Sequence, residues 1–195
     1  MIIIKHRINR INQIKNTSKN YGVEIDLRSD LKTIYLHHEP YKKGAKFTQW
    51  IKEYNHKILV LNVKEEGLEN KIIKVLKKNK ISNFFFHDQT FSTLLKNRSK
   101  TKVSIRYSEF EDLKNEVYLF KKIKWIWIDH FSKFPMNKKS YNIFKKHNVK
   151  ICVVSPELVN INLKKKIKYF KEYLKKNKFK IDAVCTKFPE LWKDL

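Results

Sequence analysis

Three glycines and two cysteines among 195 residues already narrow what this chain can be. No GxGxxG and no P-loop follows the first apolar run, which weighs against the nucleotide-binding versions of an open sheet. Cys152 and Cys185 each lie inside a hydrophobic strand-like run, with no CxxC or Cys/His spacing. Buried free thiols are therefore expected, not a disulfide or a metal site. No apolar run approaches the ~20 residues of a membrane span. The opening MIIIKHRIN has too short an apolar segment for a secretory signal and no small-residue cleavage site, so a cytoplasmic protein is expected. Low-complexity linkers and internal boundaries are missing as well, and the length suits one domain over residues 1–195 with a proper core.

What the chain has in excess is positive charge, +25 with a pI near 9.9. Such a balance suits a polyanionic partner, whether nucleic acid or an anionic membrane surface. Yet only five of the 44 basic residues are Arg, and Asn and Ile are abundant. A compositional bias that fills solvated faces with Lys explains the bulk of the charge, and no specific nucleic-acid partner is expected. The charge can still attract phosphate-bearing substrates.

Short β-branched and aromatic runs recur at regular intervals: IIIKHR (2–7), VEIDLR (23–28), KILVLNVK (57–64), NFFFHD (83–88), KVSIRYS (102–108), KWIWIDHF (124–131), KICVVSP (150–156) and DAVCTKF (182–188). An extra run, TIYLHH (33–38), follows the second after the polar turn SDLK and predicts a hairpin-like extension. Helical periodicity fills gaps at 45–54, 67–80, 137–148 and 159–179. Strands apolar on both faces, alternating with amphipathic helices, imply a parallel sheet with right-handed crossovers. Eight such units predict a compact α/β fold, a (β/α)₈ TIM barrel, with an open doubly wound sheet as the alternative.

In a barrel of this kind the C-terminal strand ends carry the active site. Those ends hold His6 and Arg7, Glu24 and Asp26, then His37, His38 and Glu39 on the extension. Asn62 and Lys64, His87 and Asp88, Arg106, Asp129 and His130, Ser155, and Thr186 and Lys187 complete the set. Glu24 and Asp26 are two apart, so in a strand they share one face, opposite Val23, Ile25 and Leu27. Paired carboxylates repel unless a cation sits between them, either a metal ion or basic side chains such as Arg7 and Lys64. Arg7 and Arg106 stand where this chain would default to Lys, which points to the planar fork that grips phosphate or carboxylate. Trp125 and Trp127 read as packing residues, one of them able to wall a pocket.

HR at the first strand end, ExD on the second, HHEP a dozen residues on, LNVK on the third strand and TKFP (186–189) near the last occur in an order that resembles the glycerophosphodiester phosphodiesterase family. That family's pattern runs HRG, ExD, HD, ExK and a TDFP-like close. The resemblance implies a TIM barrel, a place in lipid metabolism and metal-assisted hydrolysis of a small-molecule phosphodiester. It makes His6 and His38 the general acid/base pair, with His38 preferred to His37 because Glu39 follows it directly. Arg7 becomes a phosphate clamp and Lys64 helps neutralise the phosphoryl oxygens; Arg106, from its strand-end position alone, is a further candidate phosphate ligand. Glu24 and Asp26 become ligands of Mg²⁺ or Ca²⁺, with Asn62 standing where the family has an acid.

The chemistry agrees with these residue types. An anionic phosphodiester needs a hard cation and Arg or Lys to neutralise charge. One imidazole takes a proton from the attacking hydroxyl while another protonates the leaving alkoxide, and carboxylate oxygens suit Mg²⁺ or Ca²⁺. Departures from the pattern are Ile8 for its glycine, Asn62 for its acid, Lys187 for its aspartate, and only PYKKGAKF where a substrate-recognising module often follows. Asp88 and Asp129 are candidates to make up for the missing acid. A catalytically degenerate barrel that binds a phosphorylated ligand or partner is the second reading, and a basic nucleic-acid binder, motivated by charge alone, the third.

Overall fold

The structure, a computed structural model, describes residues 1–112 and 117–195. Strands β1 (Ile2–Lys5), β2 (Gly22–Ser29), β5 (Leu59–Val63), β6 (Phe84–His87), β7 (Ser104–Tyr107), β8 (Trp125–Ile128), β9 (Lys150–Val154) and β10 (Ala183–Thr186) pair in parallel, each beside the next. β10 pairs back onto β1, from Ile2 opposite Ala183 to Lys5 opposite Thr186. A parallel bridge between Phe86 and Val103, with the Phe86 N–H donating to the Lys102 carbonyl at 2.9 Å, joins β6 to β7. The eight strands thus form a continuous ring, the predicted (β/α)₈ barrel. β3 (Ile34–Leu36) and β4 (Ala45–Lys46) add antiparallel to the side of β2, the expected hairpin-like extension.

Period-two alternation along each strand separates two apolar layers. Ile4, Ile58, Val60, Phe85, Trp125, Trp127, Cys152, Val154, Ala183 and Cys185 form one cluster, which fills the ring. Their alternates, among them Val23, Ile25, Leu27, Leu61, Phe86, Ile126, Val153 and Val184, pack outward with the helices. Each large apolar side chain fully withdrawn from water contributes roughly 1.5–3 kcal/mol. Gly22 begins β2 on the inner face, where a Cβ would approach the Ile58 side chain to 2.5 Å and that of Ile4 to 3.0 Å. Only glycine fits under Glu24 at this crossing.

Helices α3 (Glu69–Lys78) and α5 (Lys138–Lys146) bury the residues their periodicity marks, Leu68 at the cap of α3 with Ile72 and Leu76, and then Tyr141 and Phe144. The expected single helix over 159–179 is divided. A 3-10 segment, Ile161–Lys166, starts where the Asn160 side chain accepts from the Asn162 N–H, and it buries nothing. The α-helix proper, α7 (Ile167–Lys176), begins at the first buried residue, Ile167. The expected helix at 45–54 is shorter, because Ala45–Lys46 pairs with β3 and α2 covers Phe47–Trp50. Two short helices escape periodicity, α1 (Ile11–Lys15) and α4 (Phe91–Asn97), since they bury only one and two side chains. Proline opens α6 (Pro156–Val159) and a final 3-10 turn, Pro189–Trp192, where its missing N–H costs no helical bond.

Candidate active site

The inner-face alternation that carries Ile58 and Val60 at depth continues upward on β5 as Asn62 and Lys64, and on β2 as Glu24, Asp26 and Arg28. One rule of strand geometry therefore turns an apolar floor into a polar mouth. Asp26 and Asn62 are direct cross-strand partners in the β2–β5 register. Glu24 and Asp26 are both almost wholly buried.

Their hydrogen bonds are specific. Glu24 accepts from the Arg7 N–H at 2.7 Å through Oε2 and from Asn62 Nδ2 at 3.0 Å through Oε1. Asp26 accepts from Asn9 Nδ2 at 2.9 Å, and its N–H donates to Asn9 Oδ1 at 2.9 Å. The Arg7 guanidinium lies 3.7 Å from Asp26 Oδ2, and Lys64 Nζ lies 3.8 Å from Asp26 Oδ1. Burial first, and then the neighbouring Asp26 charge, push the Glu24 carboxyl up to about 8.

Asp26 Oδ1 and Asn62 Oδ1 are buried without a hydrogen-bond partner. A buried unsatisfied acceptor is costly, and here two lie on registered neighbours beside a second carboxylate. The donor set, two carboxylates and an amide oxygen, suits a hard oxygen-loving cation. Among the described residues no group of three or more His, Cys, Asp or Glu is arranged to hold a metal.

His6 follows β1 and turns inward, with Nε2 3.8 Å from Glu24 Oε2 and Nδ1 unpartnered. Burial, reinforced by Arg7, Lys187, His38 and Lys64, lowers its pKa to about 3, so the ring is neutral at pH 7. His38 stands at the edge of the mouth, its Nδ1 2.6 Å from Glu39 Oε1. The Arg28 Nε donates to the His38 carbonyl at 2.9 Å and fixes the loop. His37 instead bonds through Nδ1 to the Glu39 backbone, a local turn contact. The turn after His6 does not need glycine at position 8. Its left-handed residue is Arg7, at φ 55°, while Ile8 is buried and donates its N–H to the Glu24 carbonyl at 2.9 Å.

On the neighbouring strand ends, Lys64 Nζ donates to Asp88 Oδ2 at 2.8 Å, and Arg106 Nη2 bonds Asp88 Oδ1. Arg106 Nε is also 3.1 Å from Asp129 Oδ2. Burial would raise Asp88, but His87, Lys64 and Arg106 outweigh it and hold the carboxyl at about 2. Asp129 goes the other way, pushed up to about 6 by burial against the opposing Arg106. Both acids are committed to cations in this arrangement. His87 is buried, stacked on Trp127 with ring centroids 4.2 Å apart, and its pKa falls to about 3 through burial. Trp127 packs inside the ring against His87, while Trp125 stacks on Phe85.

Two expected strand-end residues lie elsewhere. His130 turns away, its Nε2 3.2 Å from the Val154 carbonyl and its ring against Phe170. Ser155 is buried behind the ring, accepting from Trp192 Nε1 at 3.0 Å and donating to Glu157. Glu157 in turn takes the Thr186 hydroxyl at 2.6 Å and the Lys187 N–H at 2.9 Å, so it sets the backbone that brings Lys187 near His6. Asn9, Arg28 and Glu157 are absent from a motif-based reading. Arg28 was available from the inner-face alternation after Asp26, while Asn9 and Glu157 carry no such signal.

No protein-family model matches the chain, and no curated protein matches it by sequence. Solved structures do. A glycerophosphodiester phosphodiesterase from Thermotoga maritima superposes with a TM-score of 0.71 at 16% identity, over 98% of this chain and 96% of its own. An Oleispira antarctica phosphodiesterase, solved in complex with the product sn-glycerol-3-phosphate, gives 0.66 at 16% identity over 97% and 94%. A glycerophosphodiester phosphodiesterase from Agrobacterium tumefaciens gives 0.66 at 10% identity over 98% and 97%. At such divergence the likeness speaks to architecture, and it does so along nearly the whole chain: this is the TIM-barrel fold of the glycerophosphodiester phosphodiesterases.

Proposed function

We propose that the chain, acting as one cytoplasmic domain over residues 1–195, is a metal-assisted phosphodiester hydrolase. The observation that carries this reading is the pair of buried oxygens without hydrogen-bond partners, Asp26 Oδ1 and Asn62 Oδ1, beside Glu24, which itself lies 3.8 Å from the neutral His6 imidazole. Glu24, Asp26 and Asn62 would hold Mg²⁺ or Ca²⁺, which supplies Lewis-acid neutralisation of phosphoryl charge. His6, kept neutral by burial, accepts the proton of the attacking hydroxyl. His38, oriented by Glu39, returns a proton to the leaving alkoxide. Arg7 and Lys64, already facing the acidic pair, meet the non-bridging oxygens, and Arg106 can join them by exchanging Asp88 for phosphate. A neighbour solved with sn-glycerol-3-phosphate supports a small phosphodiester whose product is a phosphomonoester.

The test is hydrolysis of bis(p-nitrophenyl) phosphate and of glycerophosphodiesters in Mg²⁺ or Ca²⁺. Activity should fall by at least about tenfold on His6→Ala or Glu24→Ala, and a smaller loss in either variant would falsify the assignment. The alternative, a barrel that binds a phosphorylated ligand without turning it over, is favoured by Asn62 and by the commitment of both Lys64 and Arg106 to Asp88. Calorimetry separates the two readings. Divalent-ion binding abolished by Glu24→Ala excludes the second, and absence of ion binding together with phosphate-ester binding excludes the first.

A further inference from the structure

The mouth carries a second feature that hydrolysis does not use. Three successive strand-to-helix junctions each place an exposed phenylalanine just beyond the strand end: Phe91 after β6, Phe110 after β7 and Phe131 after β8. They are 50%, 75% and 52% exposed, and Tyr169 of α7 is 65% exposed. These rings are contiguous. Phe91 and Phe110 line one cavity of about 390 Å³, the Phe110 and Phe131 ring centroids are 5.9 Å apart, and Phe131 and Tyr169 line a second cavity of about 550 Å³. An apolar stripe therefore crosses the face onto which the barrel opens.

The stripe is held in place. Glu109 Oε1 accepts from the N–H groups of Phe131 at 2.9 Å and Lys133 at 3.2 Å, from the Ser132 N–H, and from the Ser132 hydroxyl at 2.9 Å. That carboxylate is spent inward on the loop, and Glu111 leans back on the Ser108 hydroxyl at 2.9 Å and towards Arg106. Asp112 remains on the Phe91 side. Among the described residues, no acid lines the larger cavity. Phe134, Phe170 and Tyr173 make its bed, while Lys133 and Lys166 stand at its edge. The 3-10 segment beside it adds an exposed Ile161.

We infer that this face docks on an anionic lipid bilayer, with Phe110 and Phe131 entering the headgroup–acyl boundary and the flanking lysines meeting lipid phosphates. An apolar bed with a cationic edge is complementary to an amphiphile. Aromatic rings favour the interfacial zone, and lysines near an anionic surface add an attraction that fades within a Debye length. A bare polyanion would use the lysines and leave the bed empty. The inference does not rest on the hydrolytic reading, because binding can be measured without turnover.

The experiment is co-sedimentation of the full chain with sucrose-loaded vesicles, either equal parts phosphatidylglycerol and phosphatidylcholine or phosphatidylcholine alone. The wild type should bind the mixed vesicles. Phe110→Ser/Phe131→Ser, which leaves the charge at +25, should bind at least about tenfold more weakly. Equal binding by the two proteins overturns the inference. So does an equal loss of affinity for a single-stranded nucleic acid, which would make the rings a base-stacking surface. Both side chains are exposed, and an unchanged thermal midpoint confirms that the variant folds. A separate Phe131→Trp protein should show blue-shifted emission with mixed vesicles and quenching by brominated lipid, and unshifted emission again overturns the docking. Hydrolysis of a soluble phosphodiester should be the same in wild type and double variant, so failure to dock leaves the proposed chemistry standing.

Discussion

The β2–β5 pair and the β6–β7 seam, two junctions of the same ring with only the β5–β6 pair between them, hold it by opposite means. β2 and β5 share a five-residue register, from Val23 opposite Leu59 to Leu27 opposite Val63. β6 and β7 meet at one bridge, Phe86 with Val103. Where backbone pairing stops, side chains cross the seam: His87 Nδ1 to the Ser104 hydroxyl at 3.0 Å, that hydroxyl to the Phe86 carbonyl at 3.2 Å, and Asp88 to Arg106. The continuous ladder carries two buried carboxyls on one strand, Glu24 and Asp26, whose burial and mutual repulsion oppose their ionising together. The sparse seam carries an opposite-charged pair that draws it together. Backbone order is spent where the side chains are in conflict.

Activity gives the largest expected effect on the ladder side. Glu24→Ala or His6→Ala should lower phosphodiester hydrolysis by about 10² to 10⁴, whereas Asp88→Asn at the seam should leave most of it; equal losses at both sides would erase the contrast. Next comes ion affinity. Asn62→Asp restores a third carboxylate to the buried oxygens and should tighten Mg²⁺ or Ca²⁺ binding by about tenfold by calorimetry, and weaker binding would remove Asn62 from the ligand set.

Stability comes third. Asp88 sits at φ 62°, a conformation Asn tolerates, so Asp88→Asn isolates the charge. The variant should lose about 1 kcal/mol in urea unfolding, given part-exposed partners and solvent screening, with faster amide exchange confined to Phe84–His87 and Ser104–Tyr107. Uniform exchange across the ring would show that the seam is no weaker than the ladder.

The smallest effect is in the pH profile, where the two sides should slope in opposite directions. Asp88 falls from the usual 3.8 to about 2, so its stabilisation is complete above about pH 4 and is lost as pH drops towards 2. Glu24 rises from 4.5 to about 8, so the folded state holds the extra proton, and stability in chelator falls as pH climbs between those values. Asp88→Asn should flatten the acid limb of the urea midpoint, and Glu24→Gln the limb from 4.5 to 8. A profile unchanged by both would discard the electrostatic account.

Much of the ladder side was legible because strand alternation is a local rule. Glu24, Asp26, Asn62 and Lys64 follow from counting by twos along apolar runs, and the HR and ExD motifs singled out their neighbours. The seam was not, since nothing in NFFFHD or KVSIRYS says that their strands pair at a single residue. Asp88 and Arg106 could be named as strand-end polar groups but not joined. Asn9 grips Asp26 from a loop with no periodic signal, and His130 and Ser155 face away because they continue the outward alternates Ile126 and Ile128, and Ile151 and Val153, a count that a list of strand-end polar residues does not apply. The helices at 45–54 and 159–179 were overextended because edge pairing by Ala45 and the Asn160 cap are not visible in apolar spacing.

The pairing of Ile2–Lys5 with Ala183–Thr186 has a consequence for biosynthesis. The first strand leaves the ribosome long before its partner exists, so it waits with one edge unsatisfied while the rest of the sheet accumulates. An unpaired edge templates association with other chains, and ring closure is a late, non-local event. Slowing translation ahead of residue 183 should therefore increase aggregation of the nascent protein, whereas a circular permutant that makes these two strands neighbours in sequence should reach the closed state sooner.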